Sequence, residues 1–396
     1  VMVKSVVILG CGPGGLAVAN GLADAAAAGK VQITILEKKD HVDLCTPHPR
    51  SLVNAAFADE VLLMHERAIL GSVQPRFIAV ADITSLTANG VVYTSKSGAT
   101  ETITADALVI ATGSSYKGAY VKNDDGLQKL EWLEKLAEWR TAAAKAQHVL
   151  IVGGGVTGTE VAGELATEHP TCKVTLIHSG KYLCNETAHF HVNTLWGLTT
   201  LPGNVEVLTE DRVEATEALS FPDGPRTFTT KKGATIVDVD MVLMCAGVVP
   251  NSSFISAEQC NEKRELVVDE TLQVPSLTSA KCCVFAVGDV THCGWGRAMV
   301  ADAMAKACVV NILKLAEDKP LTNVYNPEKK PFLPVLVSLG RTQGVANVPF
   351  NNNFLGRWVK APTLLAGLVW PKMGIKGFSL SAAAKGPSPL QQVDLE

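Results

Sequence analysis

The chain has 396 residues, 47% of them hydrophobic and 19% charged, with a formal net charge of −4. That length suits two or three domains around a sizeable core, and the acidic balance speaks against a dedicated nucleic-acid binder. No run of about 18 apolar residues is present to span a bilayer, and ten cysteines without a CxxC fit reduced cytosolic thiols rather than a disulfide scaffold.

Taken in chain order, Val6–Leu9 is an apolar run that enters Gly10-x-Gly12-x-x-Gly15. A buried parallel strand reads this way. Such glycines permit a tight turn, close approach to a pyrophosphate and close packing of the next helix. A helix is expected from Leu16 to about Ala28, then a strand over Gln32–Leu36 that delivers Glu37. An acid there can accept hydrogen bonds from a ribose. Lys38–Arg50 reads as a loop opening a helix near Arg50–Phe57. It holds one cysteine, Cys45, so a dithiol mechanism is not available there. Strands are expected at 73–80, 90–94 and 102–110, the last ending in Ala111-Thr112-Gly113-Ser114. Ligands of open α/β sheets bind at such strand ends. Residues 126–146 suit an amphipathic helix.

The opening pattern then recurs. His148–Val152 leads into Gly153-x-Gly155-x-x-Gly158, a helix over Thr159–Glu168 and a strand over Lys173–His178. This second unit has His178 and Ser179 where an acid would select NAD by bonding both ribose hydroxyls. Lys181 is close by. Without the acid, NADP is tolerable, although His178 can equally be a plain strand-end residue. His189-x-His191 lacks further ligands and does not suggest a metal. Strands follow at 205–208, 226–230 and 240–244, then Cys245-Ala246-Gly247 and Val248–Asn251. The strand Cys282–Val287 runs into Gly288-Asp289, and a helix follows from Arg297 to about Leu315. Cys282 and Cys283 point to opposite faces of their strand and read as packing. Residues 320–334 form a linker, 335–339 a strand, and 381–396 a disordered tail.

In this order the motifs resemble the FAD/NAD(P)-dependent two-dinucleotide-binding flavoproteins. GTEVAGELATEHP, KVTLIHS, AGVVPNSS and SLGRTQGV carry a closer resemblance to the apoptosis-inducing-factor-like group. The resemblance implies an α/β fold with two Rossmann-like domains, the NAD(P) domain inserted in the FAD domain, plus a small C-terminal α+β domain. It places the FAD domain at 1–120 and 248–322, the NAD(P)H domain at 121–247 and the C-terminal domain at 323–396. It also implies hydride transfer from NAD(P)H to FAD and passage of electrons to a quinone. Carried over by position, Gly10, Gly12, Gly14 and Gly15 hold the FAD pyrophosphate, and Glu37 and Lys38 sit at the adenosine ribose. Arg50 contacts the flavin, Ile78 offers backbone groups to adenine, Thr112 and Gly113 lie along the cofactor, and Asp289 takes the ribityl chain. Gly153, Gly155 and Gly158 face NAD(P)H.

Two readings of Glu160 stay open: offsetting the helix dipole and orienting the nicotinamide. Cys45 could instead serve as the thiol of a single-cysteine NADH peroxidase or oxidase. The chain could also be a flavin-bearing signalling protein without quinone turnover. VMVKSV does not match the myristoylation signal of the resembling group. From Asn323 on, eight Lys or Arg face three Asp or Glu, a net of +5 that leaves −9 for the rest. Arg357, Lys360, Lys372 and Lys376 lie near Trp358, Leu364 and Trp370, a composition suited to a peripheral membrane contact. It equally suits an element packed on the FAD domain. The expected location is the cytoplasm, with that stretch at a membrane surface.

Overall fold

The computed structural model describes residues 3–43, 46, 48–116, 122–186, 188–213, 219–221, 224–294, 298–322, 325–327, 335–341 and 343–347. Cys45 and the basic stretch after Asn347 lie outside these residues.

The first sheet is built from β1 (Lys4–Leu9), β2 (Val31–Glu37), β3 (Arg76–Thr87), β4 (Gly90–Ser95), β5 (Thr100–Thr104), β6 (Ala107–Ile110) and β12 (Cys283–Ala286). Their spatial order is β12-β6-β1-β2-β3-β4-β5. The first five strands in that order pair in parallel, and β3, β4 and β5 pair antiparallel. Val6, Val7, Ile8 and Leu9 of β1 are 0–1% exposed. Full burial of both faces is why this strand is continuously apolar, and each such side chain contributes about 1.5–3 kcal/mol. By contrast β5 reads Thr-Glu-Thr-Ile-Thr and is largely exposed, as suits an edge strand.

The second sheet takes β7 (His148–Val152), β8 (Lys173–His178), β9 (Asn204–Thr209), β10 (Leu219–Ser220) and β11 (Met241–Met244). The order is β9-β8-β7-β11-β10, parallel but for β10. In sequence this whole sheet falls between β6 and β12. The second Rossmann-like unit is therefore inserted into the first, as expected. A small antiparallel pair, Ser114–Tyr116 with Val248–Pro250, joins the outgoing and returning strands of that insertion. A hairpin of β13 (Val335–Leu339) and β14 (Gln343–Asn347) follows.

The helices that matter here are α1 (Pro13–Gly21), α2 (Lys129–Lys145), α3 (Val156–Glu168), α4 (Ala188–Thr199) and α5 (Ala298–Ala316). The first of them departs from expectation. It starts earlier, with Pro13 in its first turn, where the missing N–H costs nothing. It stops at Gly21, and a separate turn of helix covers Ala23–Ala27. A Cβ on Gly21 would lie 2.8 Å from Val309 of α5, so the glycine lets the two helices close on each other. The second helix, α2, opens with a reciprocal capping box between Gln128 and Glu131, a pairing that satisfies two free amides at once.

Candidate dinucleotide sites and their junction

At the carboxyl end of β1 the chain turns at Gly10, whose φ is +94°. A Cβ there would lie 2.8 Å from the carbonyl oxygen of Ala111, and one on Gly15 would strike the carbonyl of Gly10. These two glycines are thus required by the protein itself. Gly12 differs: a Cβ on it would meet nothing within 4 Å. It caps α1 with no side-chain bond, so no capping side chain takes up the first amides of the helix. A turn of this shape fits a pyrophosphate, which takes free N–H groups and a helix N-terminus.

The second unit repeats this geometry. Gly153 (φ +112°) would place a Cβ 2.8 Å from the backbone of Cys245, and one on Gly158 would strike the carbonyl of Gly153. Gly155 meets nothing within 4 Å and leaves α3 without a side-chain cap. His178 ends β8 with its ring turned inward. Its Nδ1 lies 3.3 Å from the amide of Gly154 and its Nε2 3.1 Å from the carbonyl oxygen of Tyr182. Only the neutral tautomer that accepts at Nδ1 and donates at Nε2 satisfies both. Burial lowers its pKa, in keeping with that neutral form.

Around the first turn, three strand ends converge. Glu37 closes β2 with its carboxylate accepting from the amides of Cys11 (2.6 Å), Lys38 (2.8 Å) and Lys39 (3.1 Å). Thr112, beyond β6, donates its hydroxyl to the carbonyl of Asn251 (2.8 Å), and the Asn251 amide donates back to the carbonyl of Thr112 (2.9 Å). The backbone N–H of Asn251 donates to the carbonyl of Gly113 (2.9 Å). Beyond β12, Asp289 accepts from the Ser114 hydroxyl at 3.3 Å. All these groups lie at the carboxyl edge of one sheet, where open α/β folds bind their ligands.

A third cluster joins the parts of the chain. Arg50, on the short helix His48–Ser51, directs Nε (3.1 Å) and Nη2 (2.8 Å) onto Oε1 of Glu164 on α3. Both side chains are buried, with 5% and 1% exposure. One turn before Glu164, Glu160 accepts from the amide (3.1 Å) and hydroxyl (3.2 Å) of Ser338 on β13. Burial pushes the Glu160 carboxyl up to about 8, against the pull of the Ser338 donors. The hairpin thus lies along α3, with Arg341 paired to Glu168 at the far end (2.5 Å). Upstream of Arg50, Asp43 pairs with His48 (2.5 Å) and accepts from the amide of Asn123 (2.9 Å). The His48 and Lys39 charges hold the Asp43 carboxyl far below the ordinary range, although burial opposes them.

A family model described as pyridine nucleotide-disulphide oxidoreductase matches residues 4–305. The chain belongs to this family. It is an oxidoreductase flavoprotein, and its cofactors are FAD and NAD(P)H. Apoptosis-inducing factor homolog A of Dictyostelium discoideum is 26% identical over 91% of this chain and 90% of its own length. Ferroptosis suppressor protein 1 of Taeniopygia guttata is 30% identical over 67% of this chain and 71% of its own. The solved structure of NDH2 from Plasmodium falciparum in complex with NADH shares the fold, with a TM-score of 0.66 and 13% identity over 96% of each chain.

Within this pyridine nucleotide-disulphide oxidoreductase the expected positions fall into groups. Gly10, Gly12, Gly15, Glu37, Thr112, Gly113 and Asp289 converge on the first turn. Gly153, Gly155, Gly158 and His178 form the second. Gly14 lies against Val287 and Ala301, so its missing side chain serves helix packing. Lys38 extends to Asp82 on β3 (2.8 Å), and Ile78 sits on β3 opposite Leu36. Glu160 lies in the second turn of α3, past the first turn where a carboxylate offsets the dipole. His191 accepts from the amide of Leu183 (3.1 Å) and tilts against Tyr182. Three residues escaped the sequence reading: Asn251, Glu164 and Ser338. Asn251 had a signal, the end of the AGVVPN motif. Glu164 had one too, at i+4 from Glu160 on the same helix face.

Proposed function

We propose that this flavoprotein is an NAD(P)H:quinone oxidoreductase. Bound FAD would accept a hydride from NAD(P)H and would supply two electrons, with two protons, to a quinone such as ubiquinone. The balance is NAD(P)H + H⁺ + quinone → NAD(P)⁺ + quinol. The bound flavin supplies the hydride-accepting, electron-donating chemistry. The chain's own residues bind and orient. The amides after Gly12 and Gly155 take the two pyrophosphates, Glu37 takes the adenosine ribose of FAD, and Asp289 its ribityl chain. Arg50 lies toward the flavin and Glu160 toward the nicotinamide.

The observation that carries this reading is the pair of open-faced glycine turns, each with an uncapped helix start, joined through α3. The fate of the electrons rests on a second point. Burial pushes the Cys184 thiol, beside Thr159, up to about 12 and raises that of Cys11 as well. Such thiols are inert as redox partners, and the segment 38–50 holds the single cysteine Cys45 rather than a pair. The electrons then leave to a diffusible acceptor, and the likeness to the apoptosis-inducing-factor group favours a quinone.

The test is anaerobic reduction of the FAD-loaded protein by NADH or NADPH, followed by mixing with a quinone, hydrogen peroxide or a disulfide. Fastest reoxidation by the quinone is the expected result. Faster reoxidation by peroxide moves the assignment to a Cys45 thiol mechanism, and a flavin that neither coenzyme reduces removes enzymatic turnover altogether.

A further inference from the structure

Two acids, Glu160 and Glu164, stack one turn apart on the same face of α3, and the structure gives them different partners. Arg50 is cationic in any protein environment, and it is buried. A buried cation needs a contacting anion, because its desolvation is otherwise uncompensated. The guanidinium places two N–H groups on Oε1 of Glu164, whereas the donors on Glu160 are the neutral groups of Ser338. Oε2 of Glu164 is buried and has no hydrogen-bond partner among the described residues. The charge at this junction is therefore carried by Arg50 and Glu164, which lie 114 positions apart.

We propose that Glu164 is the positioning residue for Arg50, holding its guanidinium toward the bound flavin and offsetting its charge there, and that Glu160 does not share this task. The inference rests on the FAD reading above. Arg50 reaches Glu164 from the part of the chain that carries the first dinucleotide turn, and Glu164 belongs to the helix that starts at the second. The pair thus couples the flavin side of the protein to the coenzyme side through one ion pair. Burial raises the Glu164 carboxyl, against the charge and hydrogen bonds of Arg50; Glu168 adds to the rise and Arg341 opposes it. Burial pushes the Glu160 carboxyl up, with the Ser338 donors and Arg50 opposing the rise and Glu164 adding to it.

The consequence is a field effect on the flavin. With Glu164 neutralised, the positive charge of Arg50 is no longer balanced, and an electron-rich reduced flavin is favoured. The experiment is chemical redox titration of the FAD-loaded protein at pH 7, read by flavin absorbance, for wild type, Glu164→Gln, Glu164→Asp and Glu160→Gln. We expect Glu164→Gln to raise the midpoint potential by at least a tenfold change in the two-electron equilibrium, about 30 mV. Glu164→Asp keeps the anion and should give a smaller rise, while Glu160→Gln should leave the potential within threefold of wild type. An unchanged or lowered potential in Glu164→Gln overturns the proposal, and so does a larger shift from Glu160→Gln. Should Glu164→Gln not fold, Glu164→Asp decides alone: a small positive shift supports the assignment and an unchanged potential overturns it. The titration uses neither coenzyme nor quinone. A protein that fails to reduce quinone yet follows Glu164 in its potential defeats only the quinone reading.

Discussion

His178 stands where an acid would choose NAD over NADP, and its ring is already committed. Both nitrogens are engaged, one by the Gly154 amide and one by the Tyr182 carbonyl. It holds the turn and leaves the ribose edge free of negative charge. Lys181, whose ammonium sits 5.4 Å from the Tyr182 ring centre, is the nearby basic side chain. Both NADH and NADPH should therefore reduce the flavin with modest discrimination. Loss of two hydrogen bonds at about 1 kcal/mol each should make His178→Ala raise KM for both coenzymes to a similar degree, by up to roughly thirtyfold. Lys181→Glu should instead lower kcat/KM for NADPH selectively, by roughly tenfold. Steady-state kinetics with each coenzyme separates the two. A selective NADPH defect in His178→Ala would show that the ring itself meets the 2′-phosphate.

Glu160 makes a second prediction at this scale, through pH. Its carboxyl is raised from 4.5 to about 8 in the folded protein. The folded state then holds a proton that the unfolded chain releases between these values. Stability from this group is fully present below 4.5 and is lost as pH rises through 8. Between pH 5 and 8 the loss is about 3 kcal/mol. Glu160→Gln is neutral at every pH and should lose less stability over that interval. Denaturant unfolding at pH 5 and pH 8 checks it: equal slopes with pH in variant and wild type would mean Glu160 is ionised in the fold.

At the scale of elements, the hairpin and α3 meet backbone to backbone. A Cβ on Gly163 would lie 2.7 Å from the Cα of Leu339 and 3.0 Å from the amide of Gly340. Neither neighbour is a flexible side chain that can move aside. Gly163→Val should force the hairpin away and strip Glu160 of its Ser338 donors. Overpacking of this kind costs about 1–3 kcal/mol, and broken bonds at Glu160 add to it. The expected readouts are a lower Tm and proteolytic cutting before β13 under native conditions. A variant with wild-type Tm and resistance to cutting would mean that the hairpin slides without loss. The same contact explains what the sequence could and could not show. Each strand–turn–helix–strand unit is contained in about 35 residues, so its apolar runs and glycines are read directly from the order of the chain. Nothing local predicts that Ser338 meets Glu160 from 178 positions away. Nor does it predict that Gly21 lies so close to Val309 on α5 that a side chain there would clash. Asn251 sat in a recognised motif, but its bonds to Thr112 span 139 positions.

For the whole molecule, the connections between the two sheets decide how it unfolds. The strands leaving and returning to the first sheet pair at Ser114–Tyr116 and Val248–Pro250. Asp43 holds the amide of Asn123 on the outgoing crossover, and Arg50 and Glu164 form a buried ion pair across the parts. Breaking such a pair by separation strands two charges in low dielectric, at a cost of several kcal/mol. The second sheet should therefore not melt independently of the first. On the proposed reading FAD binds at the folded first turn, which the unfolded chain does not offer, and so it enters this coupling. At a hundred times its dissociation constant a ligand of this kind adds about 2.7 kcal/mol. Calorimetry of the FAD-stripped protein, titrated with FAD, should show one transition that moves upward as a unit. Glu164→Gln should weaken the link and split or broaden that transition. Two resolved transitions in the wild type, with FAD shifting only one, would mean that the junction is too weak to make the flavin and coenzyme halves a single cooperative body.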